Sequence, residues 1–538
     1  MRSLLFVLYG VLLCGFSIAQ ELPQDFLPAD FHKGRREAVR QMMPPNSVAV
    51  FFANPVRNRA NDVDYVYHQD PDFYYLTGYR EPNSVLLIFS EEQNDANGNS
   101  YNEAIFVQKR DAFAELWNGR RLGIDGVKEE LGFETVFESE AFMNINIDYG
   151  RFDKVLFFNF LNDYRDSKRN DVDLFDLVKH FKAQVNHPTD FDPIKQQLYA
   201  LIKSTEIENS ANVAQTLGRY LNYYTNLRSD EILSNYANAT NDAMRKELRE
   251  KVTLITSDSN LDAALLGEIM NILRETKLPE ELKLLSKAID MSAVGQIEVM
   301  KAMHPNMSET EIQGIHEFVY KKYGAEYEGY PSIVGAGNNG CILHYIENNK
   351  PTVGKDLVLM DLGAEYRGYT ADVTRTIPAN GKFSTTQRII YDLVYEAQEA
   401  GIAASVVGAP FIAPEQAARR IIHKGLVDLG IAKNERDARQ YFPHGTSHYL
   451  GLDVHDKGTY GDLKENTVIT VEPGIYIPDD SDCDEKWWGI AVRIEDDILI
   501  TKDGPVNLSA RAPRKAEEIE KVMAQKSALD DFILPKLD

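Results

Sequence analysis

The sequence predicts an α/β protein with two α/β units and a helical stretch between them, and three observations lead there. Between about residues 27 and 185, short apolar β-rich runs alternate with stretches of helical spacing. Between about 190 and 270 the pattern is helical, with no β-run. From about 280 to 515, helices alternate with hairpin-like strand pairs.

In the first unit the strands are VAVFFA (48–53), VLLIFS (85–90), EAIFVQ (103–108) and KVLFFNF (154–160), and DAFAELWNG and SKRNDVDLFDLVKHF supply helical spacing between them. NHPTDFDP then breaks the pattern and opens the helical stretch, read as a lid, a brace, an oligomer contact or plain surface helices. Leu278-Pro279-Glu280-Glu281 starts a long amphipathic helix, LKLLSKAIDMSAVGQIEVMKAM. Beyond it, VLMDLGAEYRGYTADVTRTI reads as one hairpin, and VITVEPGIYIP with GIAVRIEDDILIT as a second strand pair. These boundaries give an α/β domain at 20–187, a helical insertion at 188–274, a second domain at 275–525 and a charged tail at 526–538.

Residues 1–19 read as a secretory signal. Arg2 supplies the positive charge, Leu4 to Phe16 the apolar run, and Ser17-Ile18-Ala19 a small-x-small site before Gln20. A lipid anchor on Cys14 is disfavoured, because Leu13 stands where a small residue is expected. No later stretch reaches the roughly 18 apolar residues of a membrane span. The expectation is an exported protein, periplasmic or secreted, with no stable membrane anchor. Cleavage leaves Cys341 and Cys483, too few for a disulfide framework and expected as two unpaired thiols. The formal net charge of −24 argues against nucleic acid and anionic membrane surfaces as partners.

Chemistry concentrates in the second domain. Asp361, Asp372, His448, Glu472 and Glu495 sit on short apolar strands or beside glycine turns. Four buried carboxylates with one imidazole lose several kcal/mol of solvation each unless cations compensate. Two divalent ions would neutralise them and activate a water for hydrolysis. With the turn centred on Glu365-Tyr366-Arg367-Gly368, Asp361 and Asp372 are expected opposite one another on one face of the hairpin. Val468, Thr470 and Glu472 share a strand face, as do Arg493 and Glu495. Arg493 could hold substrate, orient a ligand carboxylate, or form a same-strand ion pair. Glu472 could shuttle a proton to a leaving amine. His444, His448 and His455 crowd into twelve residues of a chain with eleven histidines, and His344 follows the glycine-rich GAGNNG. Four oxygens to one nitrogen, without thiolate, favour Mn²⁺, with Co²⁺, Fe²⁺ and Zn²⁺ as the alternatives.

The stretches PDFYYLTGYREPNS, GNNGCILHYIEN, MDLGAEYRGYTADVTRTIPANGKF, HGTSHYLGLDVHD, TVEPGIYI and VRIEDDILIT together resemble the pita-bread metallopeptidases, in the branch of aminopeptidase P and prolidase. The resemblance covers most of 27–185 and 275–525 and leaves the helical stretch out. It implies a second domain with a curved antiparallel sheet, preceded by a smaller α/β domain, and a dimer or tetramer. It further implies two metals: Asp361 on one through both oxygens, Asp372 and Glu495 bridging, His448 and Glu472 completing the other. His344 and His455 would stabilise the tetrahedral intermediate and contact substrate. His444, Tyr476 and Arg493 would receive a proline ring. The implied activity is release of the first residue from peptides with proline at position two. Cleavage of Xaa-Pro dipeptides alone is the alternative, and a metal-free peptide-binding relative comes after it.

Overall fold

The computed structural model describes residues 25–531 and 534, except 96–97, 146, 161–171, 190 and 257–258. The expected signal segment therefore lies outside the described residues.

Four strands of the first domain form where the apolar runs predict them, at Ser47–Phe52, Val85–Asn94, Ser100–Val107 and Lys154–Phe157. They belong to a six-stranded mixed sheet. Ser47–Phe52 pairs antiparallel with Val85–Asn94 and parallel with Lys154–Phe157. The runs are continuously apolar because both faces are covered. Ala49 and Phe51 enter one core, with Leu86 and Ile88, while Val48 and Val50 enter another, with Leu87 and Phe106. Helix Leu174–Gln184 closes the second face through Leu177 and Phe181.

The helical stretch folds on itself. Helices Pro193–Ser204, Ser210–Tyr223, Glu231–Ala237 and Asp242–Ile255 enclose a small core of Leu198, Ile202, Leu217, Leu233, Tyr236 and Val252. Side chains of Asp192, Asp230 and Asn241 cap three of these helices. Its exit was not anticipated: Leu261–Asp262 forms the edge strand of the first domain's sheet, parallel to Val155 and Leu156. Two residues carry no alternation to read. Helix Leu265–Glu275 follows and buries Leu266, Ile269 and Met270 in a core shared by Phe73 and Tyr75 of the first domain and Tyr369 and Leu450 of the second.

The second domain is organised around helix Pro279–Ala302 and two antiparallel hairpins. From this helix Gln296 donates to the carbonyls of Met360 and Val373 (3.1 and 2.7 Å), satisfying backbone acceptors on both strands of the first hairpin. Each hairpin is interrupted midway. In the first, Leu357–Leu362 pairs with Val373–Pro378, and Ala364–Tyr366 pairs with Tyr369–Thr370. In the second, Val468–Val471 pairs with Asp496–Thr501, and Gly474–Ile477 with Ile490–Arg493. At the breaks, backbone groups bond outside their own hairpin: Glu472 N–H donates to Thr446 O (2.9 Å) and Glu495 N–H to Thr374 O (3.1 Å). The second of these bonds joins the two hairpins across the break. Among the described residues, Cys341 and Cys483 are free, and no helix is long and apolar enough to cross a membrane.

Candidate metal centre

The hairpin register places the first two carboxylates differently from the sequence expectation. Asp361 pairs with Thr374 and Leu362 with Val373, so the turn lies one residue later, at Arg367-Gly368, both with positive φ. Asp372 therefore faces Gly363, and Asp361 and Asp372 are diagonal neighbours on one face, about 7–8 Å apart along such a diagonal. Tyr330 fills the offset: its hydroxyl bonds both Asp361 Oδ1 (2.6 Å) and Asp372 Oδ1. No sequence pattern singles out this tyrosine.

At the break in the second hairpin, the registers Val471 opposite Asp496 and Gly474 opposite Arg493 set Glu472 across from Glu495. Thr374 donates to Glu495 Oε2 (2.6 Å), and Thr470 to Glu472 Oε1 (3.3 Å). Thr470 also accepts from the backbone N–H of His448 (3.1 Å). His448 Nδ1–H donates to Tyr449 O (3.1 Å), which leaves Nε2 as the lone-pair nitrogen. Nε2 lies 3.4 Å from both Asp372 Oδ2 and Glu472 Oε1. Asp372, His448 and Glu495 each offer a ligand atom, all within 4.8 Å of one another.

The electrostatics require a counter-charge. Burial, then the charge of Asp361, pushes the Asp372 carboxyl well above the usual range. Burial, then the charge of Asp372, does the same to Glu495, and burial raises Glu472. Asp361 alone is held low: burial raises it, but the Arg493 guanidinium and the Tyr330 hydroxyl more than offset this. Arg493 is one fixed cation among four carboxylates, and one phenolic proton cannot serve both Asp361 and Asp372. The donor set of carboxylate oxygens and a buried imidazole lone pair fits divalent cations.

Arg493 donates to Asp361 Oδ2 (2.5 Å) and Tyr476 OH (2.8 Å). Of its three expected roles, holding Asp361 in place matches this geometry, and its carboxylate partner is across the sheet, not on its own strand. The Tyr476 hydroxyl also contacts His444 Nε2 (2.8 Å), while His444 Nδ1–H donates to Gly445 O (2.7 Å), so Nε2 accepts from the phenol. Burial and the nearby Arg493 hold His444 neutral, with its pKa down to about 3. The two rings make a wall at 62°, 5.5 Å between centroids. His455 packs on His448, ring centroids 4.1 Å apart, with its outer side in solvent. Burial of its inner side and the neighbouring His448 lower its pKa to about 4. His344 is exposed, close enough for its charge to act on His455.

Two buried groups beside the centre were not singled out from sequence. Asp497 Oδ2 accepts from Asp372 N–H (3.2 Å), and burial pushes its carboxyl well up. Arg375 donates to Glu495 O (2.6 Å) and Asp496 Oδ1 (2.7 Å), tying the two hairpins together. The acidic run in VRIEDD was a visible signal for Asp496 and Asp497, whereas Arg375 had none.

Comparison with known proteins agrees with this geometry. The model of metallopeptidase family M24 matches residues 283–502, and that of the aminopeptidase P N-terminal domain matches 32–149. The Xaa-Pro aminopeptidase of Escherichia coli (strain K12) is 35% identical over 501 residues, 91% of this chain and 96% of that protein. The solved Pseudomonas aeruginosa aminopeptidase PepP superposes with a TM-score of 0.73 at 30% identity, over 93% of this chain and 98% of that one. E. coli aminopeptidase P with the inhibitor Pro-Leu gives 0.72 at 32%, with the same coverage.

Proposed function

The chain belongs to metallopeptidase family M24, in its aminopeptidase P branch, and on that premise we propose that it is an Xaa-Pro aminopeptidase, a metal-dependent exopeptidase. The observation that carries this reading is the buried cluster in which His448 Nε2 faces Asp372 and Glu472 beside the His444–Tyr476 wall.

In this reading Asp361, Asp372, His448, Glu472 and Glu495 would hold two divalent ions, Mn²⁺ first among the candidates. Bound there, the ions supply Lewis-acid polarisation of the scissile carbonyl and a water of lowered pKa. The chain's own residues do the rest. Arg493 and Tyr330 keep Asp361 oriented. Glu472, at the edge beside His444 (3.6 Å from Nδ1), takes a proton and passes it to the leaving amine. The neutral His444 and Tyr476 rings offer an uncharged face to a proline ring, which brings no N–H of its own and has a fixed φ. His344 and His455, on the solvent side, donate hydrogen bonds to the carbonyl oxygen as it gains charge.

The test is turnover of an Xaa-Pro-Xaa tripeptide against an Xaa-Pro dipeptide by the mature protein loaded with Mn²⁺. Release of the first residue from the tripeptide is expected. Cleavage of the dipeptide alone would make the protein a prolidase. Export with loss of residues 1–19 and assembly into a dimer or tetramer belong to the same proposal. Intact mass and light scattering on the exported protein are expected to give a chain beginning at Gln20 and a mass of two or four chains.

A further inference from the structure

Arg274-Glu275-Thr276-Lys277, at the end of helix Leu265–Glu275, grip the loop that carries His448 and His455. Arg274 is buried. It donates to Asp72 Oδ1 of the first domain (2.7 Å), to Asp453 Oδ2 (3.2 Å) and to Asp456 Oδ1. Lys277, equally buried, donates to Asp456 Oδ2 (2.8 Å), so both carboxylate oxygens of Asp456 are held. Lys457 of the same loop donates to Asp72 Oδ2 and closes the circuit with the first domain. Glu275 accepts from Tyr449 OH (2.9 Å) and Lys464 Nζ (2.6 Å).

From Asp456 the path to the metal centre is one peptide group long. Its backbone N–H donates to Tyr449 O (2.8 Å), the same carbonyl that receives His448 Nδ1–H at 3.1 Å. The preceding residue is His455, whose ring packs against His448 at a tilt of 31°. The backbone is also shaped for this grip. A Cβ at Gly451 would stand 2.0 Å from Asp456 Oδ2 and 2.8 Å from Lys277 Cε. Burying two cations and their carboxylates gains little stability over apolar packing, so a positional role is the physical return.

We infer that Arg274 and Lys277 are positioning residues: through Asp456 they fix the Tyr449 carbonyl, and with it the tautomer and direction of His448 and the seat of His455. The inference rests on the peptidase reading for its effect on turnover, and on the His448 geometry alone for its effect on metal affinity.

The test uses the full chain with Asp456→Asn, which keeps shape and backbone N–H, and Arg274→Lys, which keeps charge but loses the fork. Thermal melts establish folding, peptide turnover gives kcat and KM, and Co²⁺ absorbance titration gives affinity without turnover. Relative to wild type, Asp456→Asn is expected to lose about 10–100-fold in kcat and in Co²⁺ affinity, with KM within about three-fold and a lowered melt, because buried Arg274 and Lys277 lose one counter-charge. Arg274→Lys falls between, and adding Asp456→Asn to His455→Ala costs less than the product of the single losses. Folded variants with kcat and Co²⁺ affinity within two-fold of wild type would overturn the inference; so would fully multiplicative losses. Should Asp456→Asn not fold, Arg274→Lys decides by the same criteria. A wild type that cuts neither peptide sinks the peptidase reading, and the Co²⁺ titration still decides the clamp.

Discussion

Asp372→Asn is expected to abolish turnover, by on the order of 10³-fold or more, while leaving a protein that melts above the metal-free wild type near neutral pH. Both effects have one cause. Asp372 lies among Asp361, Asp497 and Glu472, and its carboxyl is pushed well up by burial and by their charge. A carboxyl whose pKa is higher folded than unfolded contributes stability that is full below the unfolded pKa. That contribution is lost as pH rises through the folded one. The metal-free wild type therefore loses stability from the ordinary carboxylate range upward, and Glu472 and Glu495 act in the same sense. Asp361 acts in the opposite sense but is common to both proteins. The asparagine variant drops one of the penalised groups. It should match the metal-free wild type near about pH 4 and exceed it near about pH 8. Added Mn²⁺ should raise the wild-type melt and leave the variant's nearly unmoved. Thermal melts at the two pH values, with and without Mn²⁺, check this. A variant that turns over peptide, or that melts below metal-free wild type at about pH 8, would remove Asp372 from the centre.

Gly363→Ala should be the most damaging small substitution in the second domain. A Cβ there would sit 1.7 Å from Ala371 O, 2.7 Å from Ala371 C and 2.9 Å from the Tyr330 ring. Two of these are backbone atoms of the facing strand, which cannot rotate away. The third belongs to the residue that bridges Asp361 and Asp372. The hairpin must open where Asp372 is held, at a cost of about 4 kcal/mol or more. That corresponds to a fall of roughly 10 °C in melting temperature, together with loss of activity. Gly314→Ala is the control: it lies in helix Glu309–Tyr323 with nothing within 4 Å of the added Cβ, and is expected to stabilise by about 0.4–1 kcal/mol. Equal melts for the two variants would mean that the hairpin contact at Gly363 is not as close as 1.7 Å.

Much of this molecule was legible along the chain. The runs 48–53, 85–90 and 103–108 became strands because their apolar, β-branched composition matches a sheet covered on both faces. The run 154–160 yielded its first four residues as strand, Lys154–Phe157. The long amphipathic helix begins at Pro279, where its Leu-Pro-Glu-Glu start signal placed it. Asp361, Asp372, His448, Glu472 and Glu495 were conspicuous because acids and an imidazole in apolar strands demand compensation, and the structure brings all five together.

What the sequence alone determined, then, is which groups are costly to bury and the local elements that carry them. Periodicity, turn residues and buried charge are properties of neighbours in the chain, so a linear pattern records them. The tertiary structure alone decided the turn one residue later in the first hairpin, and with it the diagonal placing of Asp361 and Asp372. It alone decided that Tyr330 spans that diagonal, that Leu261–Asp262 completes a sheet begun two hundred residues earlier, and that Arg274 reaches both Asp72 and Asp456. Such contacts join residues far apart in sequence. A lone tyrosine or arginine carries no periodic mark, and its partner is selected only when the packed cores fix which backbones meet.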